Sequence, residues 1–283
     1  MKFIVLTDTH FVPHGETLFG GDPRARLDSA VQNIRDEHGD AEFVLITGDL
    51  AHHGKVGAYH SLQESLAGLD LPVHLMMGNH DDRECLLKVI PSVMADANGF
   101  VQFTIETPEL RLICLDTAVP GTSAGHLCRD RLDFLDRELG QSSNGTKVML
   151  ALHHPPFDVG IPSLDAIRLL DSRGLEEVLD AHRSPEFIFF GHVHRAVQGL
   201  WQGLPYRIQK GINHQVALDF SLSTEIPLSF ESPEFSIVTL RENGHLVIHT
   251  CDFLYNGPLF TSRHKEHQSV FQSSPDSNMT STP

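Results

Sequence analysis

Short clusters of metal-binding residue types follow five apolar runs in this chain of 283 residues. Each run leads into a polar turn, which is typical of a buried strand that delivers a side chain to the edge of a sheet. Because the carboxyl ends of such strands meet at one edge, the pattern predicts a metal centre there. The seven candidate metal ligands are Asp8, His10, Asp49, Asn79, His153, His192 and His194.

The number and type of these ligands indicate two ions rather than one. If Asp49 bridges, each of two divalent ions has four protein ligands. Nitrogen and oxygen ligands without thiolate suit Fe, Mn or Zn. Two aspartates leave the pair of ions with a charge of about +2, enough for one hydroxide and one phosphodiester monoanion. The sequence therefore predicts a dinuclear metal-dependent phosphodiesterase.

The five clusters, taken in order, resemble the motifs of the calcineurin-like metallophosphoesterase family. They read DTH at 8–10, GD at 48–49, GNHD at 78–81, HH at 153–154 and GHVH at 191–194. One such motif is weak evidence, whereas five in order are specific. The sequences GDLAHHG and GNHDD differ from the motifs of the protein-phosphatase branch. They are similar to those of the branch that holds glycerophosphodiesterases and class III cyclic-nucleotide phosphodiesterases. The resemblance implies an α/β fold, a four-layer α/β/β/α sandwich of two mixed β-sheets flanked by helices.

The resemblance also bears on the substrate. The segments GETLFG at 15–20 and KGINHQV at 210–216 are similar to those of glycerophosphodiesterases and place glycerophosphodiesters first. Within them, His214 is a substrate-binding residue by resemblance only. The alternative substrates are 3′,5′- or 2′,3′-cyclic nucleotides, which need the same chemistry. A non-catalytic metal-binding scaffold is an alternative of another class, although such proteins usually lose ligands and none is lost here.

His80 is a candidate catalytic residue that lies beside a ligand. Next to Asn79 it would point toward the substrate, as a general acid or as a donor to the phosphoryl oxygen. The alternative for His80 is a structural hydrogen bond to Asp81 or Asp116. Asn79 is itself predicted to face the substrate as well as a metal, and Asp49 is catalytic through its bridging position.

The remaining polar residues near the motifs receive structural interpretations. His154 is predicted to orient its neighbours rather than bind metal, because a metal-bound histidine needs oriented partners. Arg83 is predicted to be a surface residue at the start of a helix. Four histidines without motif support are predicted at the surface: His14, His52, His53 and His126.

Composition limits the classes of partner and the cellular location that we expect for this protein. The net charge of −16 disfavours a nucleic-acid polymer and leaves a small-molecule phosphodiester as the expected partner. No apolar stretch reaches the roughly 18 residues of a membrane span, and the four-residue apolar run near the N-terminus is too short for a secretory signal. The four scattered cysteines are interpreted as reduced thiols of a cytoplasmic protein, with one disulfide left open.

Between the motifs, apolar residues recur at helical spacing, so strands and helices alternate as in layered α/β proteins. The predicted helical faces are Leu27, Val31, Ile34 and His38, then Tyr59, Leu62, Leu66 and Leu69, then Leu132, Leu135 and Leu139. Strands at 111–115 and 206–209 fall outside this alternation. We expect a single domain over 1–260, in which 211–260 contributes a cap or the subunit contact of a homo-oligomer. Residues 120–126, 156–165 and 211–234 are predicted to form the walls of the substrate pocket. The secondary structure of 216–234 stays unassigned, and 261–283 are predicted to be disordered.

Overall fold

The computed structural model describes residues 1–141, 146–183, 185–221 and 225–258. Strands and helices alternate along these ranges, as the apolar spacing predicts. The elements are β1 (Lys2–Leu6), α1 (Pro23–His38), β2 (Val44–Ile46), α2 (Val56–Leu66), β3 (Val73–Leu75), α3 (Arg83–Val89), β4 (Phe103–Glu106), β5 (Leu110–Leu115), α4 (Arg129–Gly140), β6 (Lys147–Leu152), α5 (Pro162–Asp165), α6 (Arg173–His182), β7 (Pro185–Phe190), β8 (Val197–Trp201), β9 (Leu204–Ile208), β10 (Gln215–Val216), β11 (Leu228–Ser229), β12 (Phe235–Leu240) and β13 (Leu246–Cys251).

Two mixed sheets organise these strands. The first has the order β13-β12-β1-β2-β3, in which β1, β2 and β3 are parallel and β12 runs antiparallel to both of its neighbours, β1 and β13. The second has the order β4-β5-β6-β7-β9-β8, with a parallel centre and antiparallel edges. A separate pair, β10 and β11, forms a small hairpin.

Alternating side chains of β5 show how the layers stack. Leu110, Leu112 and Cys114 pack into one core with residues of the first sheet, whereas Ile113 and Leu115 pack into a second core with α4 and α6. Successive residues of a strand point to opposite faces, so the two sheets lie face to face. Helices α1 to α3 cover the first sheet and α4 and α6 cover the second. The predicted four-layer sandwich is confirmed.

The first helix shows how local sequence fixes an element beside the site. Asp22 caps α1 by accepting hydrogen bonds from the backbone N–H groups of Arg24 and Ala25 at 3.0 and 3.2 Å, and Pro23 occupies the first helical position. Of the predicted face, Leu27, Val31 and Ile34 are buried and His38 is half-buried. In the second helix the prediction ran one turn too far, because α2 ends at Leu66 and Leu69 lies beyond it.

The C-terminal third completes the first sheet. Strand β12 pairs with β1 and β13 pairs with β12, so part of 211–260 belongs to the sheet that carries the first motif. The unassigned stretch 216–234 contributes the hairpin of β10 and β11. A role for 211–260 as a cap or subunit contact stays a prediction, and the predicted disordered tail at 261–283 lies outside the described residues.

The structure bears on two predictions from composition, the state of the cysteines and the absence of a membrane span. All four cysteines are free, which closes the alternative of a disulfide. Over the described ranges, we find no helix with the length and apolar character that a membrane crossing requires.

Candidate metal centre

The seven candidate ligands come together at one edge of the two sheets. They follow the carboxyl ends of β1, β2 and β3 in the first sheet and of β6 and β7 in the second. Strands that are neighbours in each sheet therefore deliver ligands that are distant in sequence. This is the arrangement that the apolar runs predict.

One group of four carboxylate and imidazole side chains is buried around a single point: Asp8, His10, Asp49 and His194. Nε2 of His10 lies 3.0 Å from Nε2 of His194. Nε2 of His194 lies 3.3 Å from Oδ1 of Asp8. Two ligands that share an ion at about 2.1 Å lie roughly 3.0–3.4 Å apart, so these separations fit one ion.

A second group shares Asp49 with the first. Oδ2 of Asp49 is 3.4 Å from Nε2 of His10 and 3.4 Å from Nε2 of His153. In the same second group, Nδ1 of His192 lies 3.0 Å from Oδ1 of Asn79. Asp49 is therefore the residue that the two groups share.

Two of these candidate ligand atoms are buried and have no hydrogen-bond partner among the described residues. They are Oδ1 of Asp8 and Nε2 of His153. An unpaired buried polar atom is unfavourable, and most such atoms in native proteins have a partner. The orphaned atoms, the oxygen and nitrogen donor set and the spacings together fit a site for two metal ions.

Backbone carbonyls fix which ring nitrogen faces the centre. Nδ1 of His153 lies 2.9 Å from the carbonyl oxygen of Thr47, and Nδ1 of His194 lies 2.8 Å from that of His214. A ring that donates through Nδ1–H keeps the lone pair of Nε2 free for a metal.

His154 follows a ligand but has both ring nitrogens engaged. Nδ1 lies 2.7 Å from the hydroxyl of Thr117, and Nε2 lies 3.2 Å from the carbonyl oxygen of Ser123. The ring is fully buried and packs on His192 with ring centroids 4.5 Å apart. Its contacts support the predicted orienting role rather than ligation.

The electrostatics of the centre favour bound cations. Burial alone would raise the pKa of Asp49, but the nearby charges of His153 and His80 hold that pKa well below its usual range. Burial lowers the pKa of His192 to about 3. For His153, burial opposes the charged form, yet the Asp49 carboxylate outweighs it and raises the pKa to about 9. A cation between Asp49 and His153 would take the place of that proton.

Five of the ligand residues have left-handed backbone. The φ angles are 54° at Asp8, 46° at His10, 50° at Asp49, 68° at His192 and 52° at His194. Such values are uncommon outside glycine and cluster at functional sites, where the surroundings hold the strained turn. Each of these turns directs a side chain from a strand end toward the shared point.

Asp81 ties two of the ligand-bearing loops together. Its Oδ2 accepts hydrogen bonds from the backbone N–H groups of Leu50 and Gly78 at 3.0 and 2.9 Å. Its Oδ1 accepts from the N–H of Ala51 at 2.9 Å and from the hydroxyl of Tyr59 at 3.0 Å. The carboxylate therefore holds the loop after β2 against the loop after β3.

His80 lies beside the centre and is held by backbone. Its N–H donates to Oδ1 of Asp49 at 2.9 Å, and its ring Nδ1 lies 2.8 Å from the carbonyl oxygen of His52. The ring therefore does not make the structural hydrogen bond to Asp81 or Asp116 that was the alternative interpretation. The Asp116 carboxylate instead accepts from Arg83.

Two sequence interpretations are wrong. His52 is half-buried beside the centre rather than at the surface, and its Nδ1 lies 3.0 Å from Nδ1 of His10. Arg83 does begin α3, but its side chain is only 19% exposed and pairs with the fully buried Asp116 at 2.7 Å. The other three histidines, His14, His53 and His126, are exposed as predicted.

A cleft of about 280 Å³ opens over the ligands. Its polar lining includes His52, His80, His214 and Ser123. Its apolar lining is formed by Phe19, Leu164, Ile167, Val216, Ile226 and Leu228.

Part of this wall could be read from the sequence. The wall segments predicted at 120–126, 156–165 and 211–234 supply several of these side chains, whereas Phe19 and Ile167 were missed. Phe19 lies in the GETLFG segment, whose resemblance bears on the substrate but does not indicate which of its side chains lines the cleft.

Comparisons with known proteins agree with this geometry. Residues 1–196 match the family described as calcineurin-like phosphoesterase. A protein of Rhodopseudomonas palustris named a probable cyclic nucleotide phosphodiesterase is 46% identical over 264 residues, covering 92% of this chain and 96% of its own. A probable glycerophosphodiester phosphodiesterase of Arcobacter nitrofigilis is 28% identical, covering 88% of this chain and 92% of its own.

Solved structures support the fold. A dimetal phosphatase from Danio rerio superimposes with a TM-score of 0.67 at 17% sequence identity, covering 88% of this chain and 95% of that one. At this identity the likeness supports the four-layer architecture alone.

Proposed function

Because the chain belongs to the calcineurin-like phosphoesterase family, we propose that it is a dinuclear metal-dependent phosphodiesterase acting on cyclic nucleotides. The observation that carries the proposal is the position of Asp49. One carboxylate oxygen lies 3.4 Å from ligand nitrogens of two separate groups, His10 and His153, as a bridge between two ions requires. The relative at 46% identity, named a probable cyclic nucleotide phosphodiesterase, supports the substrate class.

The proposed ligand sets follow from the two groups. Asp8, His10, Asp49 and His194 would hold the first ion, and Asp49, Asn79, His153 and His192 the second. These oxygen and nitrogen donors suit Fe, Mn or Zn. When bound, such ions supply activation of water and stabilisation of the charge that develops on the phosphoryl oxygens.

The residues around the ions then bind and orient the diester. His80 donates from Nδ1 to the carbonyl oxygen of His52, so it donates a second proton only as the imidazolium, through Nε2. In that form it places a positive charge and a proton beside the phosphoryl oxygens or the leaving oxygen. Asn79 and His214 would bind the substrate at the floor and side of the same cleft.

The apolar wall favours a nucleobase over a polar headgroup. Phe19 is 52% exposed at the mouth of the cleft, and its ring lies 5.4 Å from that of His52 and 5.1 Å from that of His214. A base that stacks on an aromatic side chain gains about 1–3 kcal/mol. Glycerol-linked headgroups have no such surface to offer. We therefore place cyclic nucleotides ahead of the glycerophosphodiesters that the sequence segments favoured.

A kinetic panel on the Mn-loaded protein tests this order. We expect a higher kcat/KM for 3′,5′-cAMP or 2′,3′-cAMP than for glycerophosphoethanolamine. Phe19→Ala should raise the KM for the nucleotide by roughly 5–150-fold, the equivalent of one stacked base, and leave glycerophosphoethanolamine little changed. A preference for glycerophosphoethanolamine would refute the substrate class. If bis(p-nitrophenyl) phosphate is not turned over by protein that holds both metals, the chain is a scaffold instead.

A further inference from the structure

His52 lines the cleft but is neither a candidate metal ligand nor one of the residues proposed above to bind the substrate. Its Nδ1 lies 3.0 Å from Nδ1 of the ligand His10. Its ring stacks on His80, with centroids 4.7 Å apart and planes 19° apart. His52 therefore contacts both a metal ligand and the candidate catalytic residue.

The backbone fixes His52 in this position. Its N–H donates to the carbonyl oxygen of Phe11 at 2.9 Å, and the N–H of Phe11 donates to Leu50 at 2.8 Å. Backbone hydrogen bonds thus join the loop after β2 to Phe11, the residue that follows His10. The carbonyl of His52 also accepts from His80, so the backbone of His52 is held at two points.

We propose that His52 is a positioning residue that holds His10 in the tautomer that binds a metal ion through Nε2. The inference rests on the proposed dinuclear site. Nε2 of His10 faces Nε2 of His194 and Oδ2 of Asp49, so this nitrogen must keep its lone pair for the ion. The proton of His10 is then on Nδ1, and the group 3.0 Å away that accepts it is Nδ1 of His52.

The other two ligands that bind through Nε2 differ from His10 in this respect. His153 and His194 donate from Nδ1 to backbone carbonyls, whereas His10 relies on a side chain. A neutral imidazole accepts this hydrogen bond without adding a third negative charge beside Asp8 and Asp49. The orientation of His10 can therefore be changed by mutation of its partner, which a carbonyl partner does not allow.

The same hydrogen bond decides what His52 presents to the cleft. Because Nδ1 of His52 accepts from His10, the proton of His52 is on Nε2. Nε2 makes no hydrogen bond to the described residues, and the side chain lines the cleft. This N–H is consequently available to a phosphoryl or sugar oxygen of the substrate.

Three variants separate positioning from other roles. His52→Ala removes the acceptor. His52→Asn keeps an acceptor oxygen near the place of Nδ1. His53→Ala removes the exposed neighbour, whose ring touches His52 with centroids 4.4 Å apart but is outside the cleft lining. The measurement is a titration of metal-free protein with Mn²⁺ or Zn²⁺ against a competing chelator, which reports each ion separately.

We expect His52→Ala to weaken one of the two ions by about 10–100-fold and to leave the other nearly unchanged. His52→Asn should retain most of the affinity, and His53→Ala all of it. In a long-range ¹H–¹⁵N spectrum of the Zn-loaded wild type, His10 should carry its proton on Nδ1 and His52 on Nε2.

Wild-type affinity in His52→Ala, an equal loss in His52→Ala and His52→Asn, or the opposite tautomers would each overturn the inference. The failure of the dinuclear proposal is a different result, because the wild-type protein itself would then bind fewer than two ions.

Discussion

The carboxylate of Asp81 offers a sharp test of how the site is held together. We consider Asp81→Asn, which keeps the shape of the side chain and replaces one acceptor oxygen by a donor. The two oxygens of Asp81 now accept four hydrogen bonds, three of them from backbone N–H groups. An amide cannot accept at its nitrogen, so at least one backbone N–H is left facing another donor.

The size of the effect follows from the bonds that are lost. Hydrogen bonds to a charged group contribute about 1.5–3 kcal/mol each, so we expect the free energy of unfolding to fall by about 2–5 kcal/mol. For a domain of this size that corresponds to a melting temperature lower by on the order of 10 °C. The loops that separate carry Asp49 and Asn79, so metal affinity should fall with stability.

The neighbouring Asp82→Asn is a matched control. Asp82 is exposed and caps α3 by accepting from the N–H of Cys85 at 2.8 Å. Asparagine caps a helix about as well as aspartate, so this variant should melt like the wild type. Thermal melts of both variants, with and without Mn²⁺, and turnover at 25 °C are the assay. Similar melting temperatures for the two variants would refute the view that Asp81 clamps the loops.

Four further outcomes follow from the proposed centre. Asp49→Ala should cause the largest loss of activity of any single ligand change, because it serves both ions; elemental analysis that still finds two ions would contradict the bridge. His80→Ala should lower turnover by about 10²–10⁴-fold with metal content intact, and less for p-nitrophenyl leaving groups if His80 is a general acid. The diester bis(p-nitrophenyl) phosphate should have a higher kcat/KM than p-nitrophenyl phosphate, since a dianion exceeds the remaining charge of the site. Chelation should abolish activity and lower the melting temperature, because ions at 100 times their Kd stabilise the fold by about 2.7 kcal/mol each.

The location of the candidate metal centre could be predicted from sequence because its candidate ligands follow buried strands. The strands β1, β2, β6 and β7 are covered on both faces, so they read as continuous apolar runs, and the polar residue after each run is visible at once. The strands β12 and β13 were not recognised. The outer strand β13 is partly exposed and mixes polar with apolar residues, so its pattern resembles that of a loop.

His52 and Phe19 could not be assigned for a different reason. His52 and His53 are identical neighbours in sequence, yet one faces His10 and the other faces solvent. What distinguishes them is the pairing of the loop after β2 with Phe11, a contact between distant segments. Phe19 likewise gains its place from His214, almost two hundred residues away. Local periodicity carries no information about such contacts.

The strained turns explain why the metals should matter to the stability of this edge of the protein. A left-handed non-glycine residue costs of the order of 1–3 kcal/mol, and five ligand residues adopt this backbone. The buried ligand atoms Oδ1 of Asp8 and Nε2 of His153 add the cost of missing partners. The apolar cores on both faces of the sheets offset these costs in the protein as a whole, but they do not supply partners for the ligands. Bound ions would supply those partners, so metal removal should loosen the ligand-bearing turns while the sheets beneath them keep their packing.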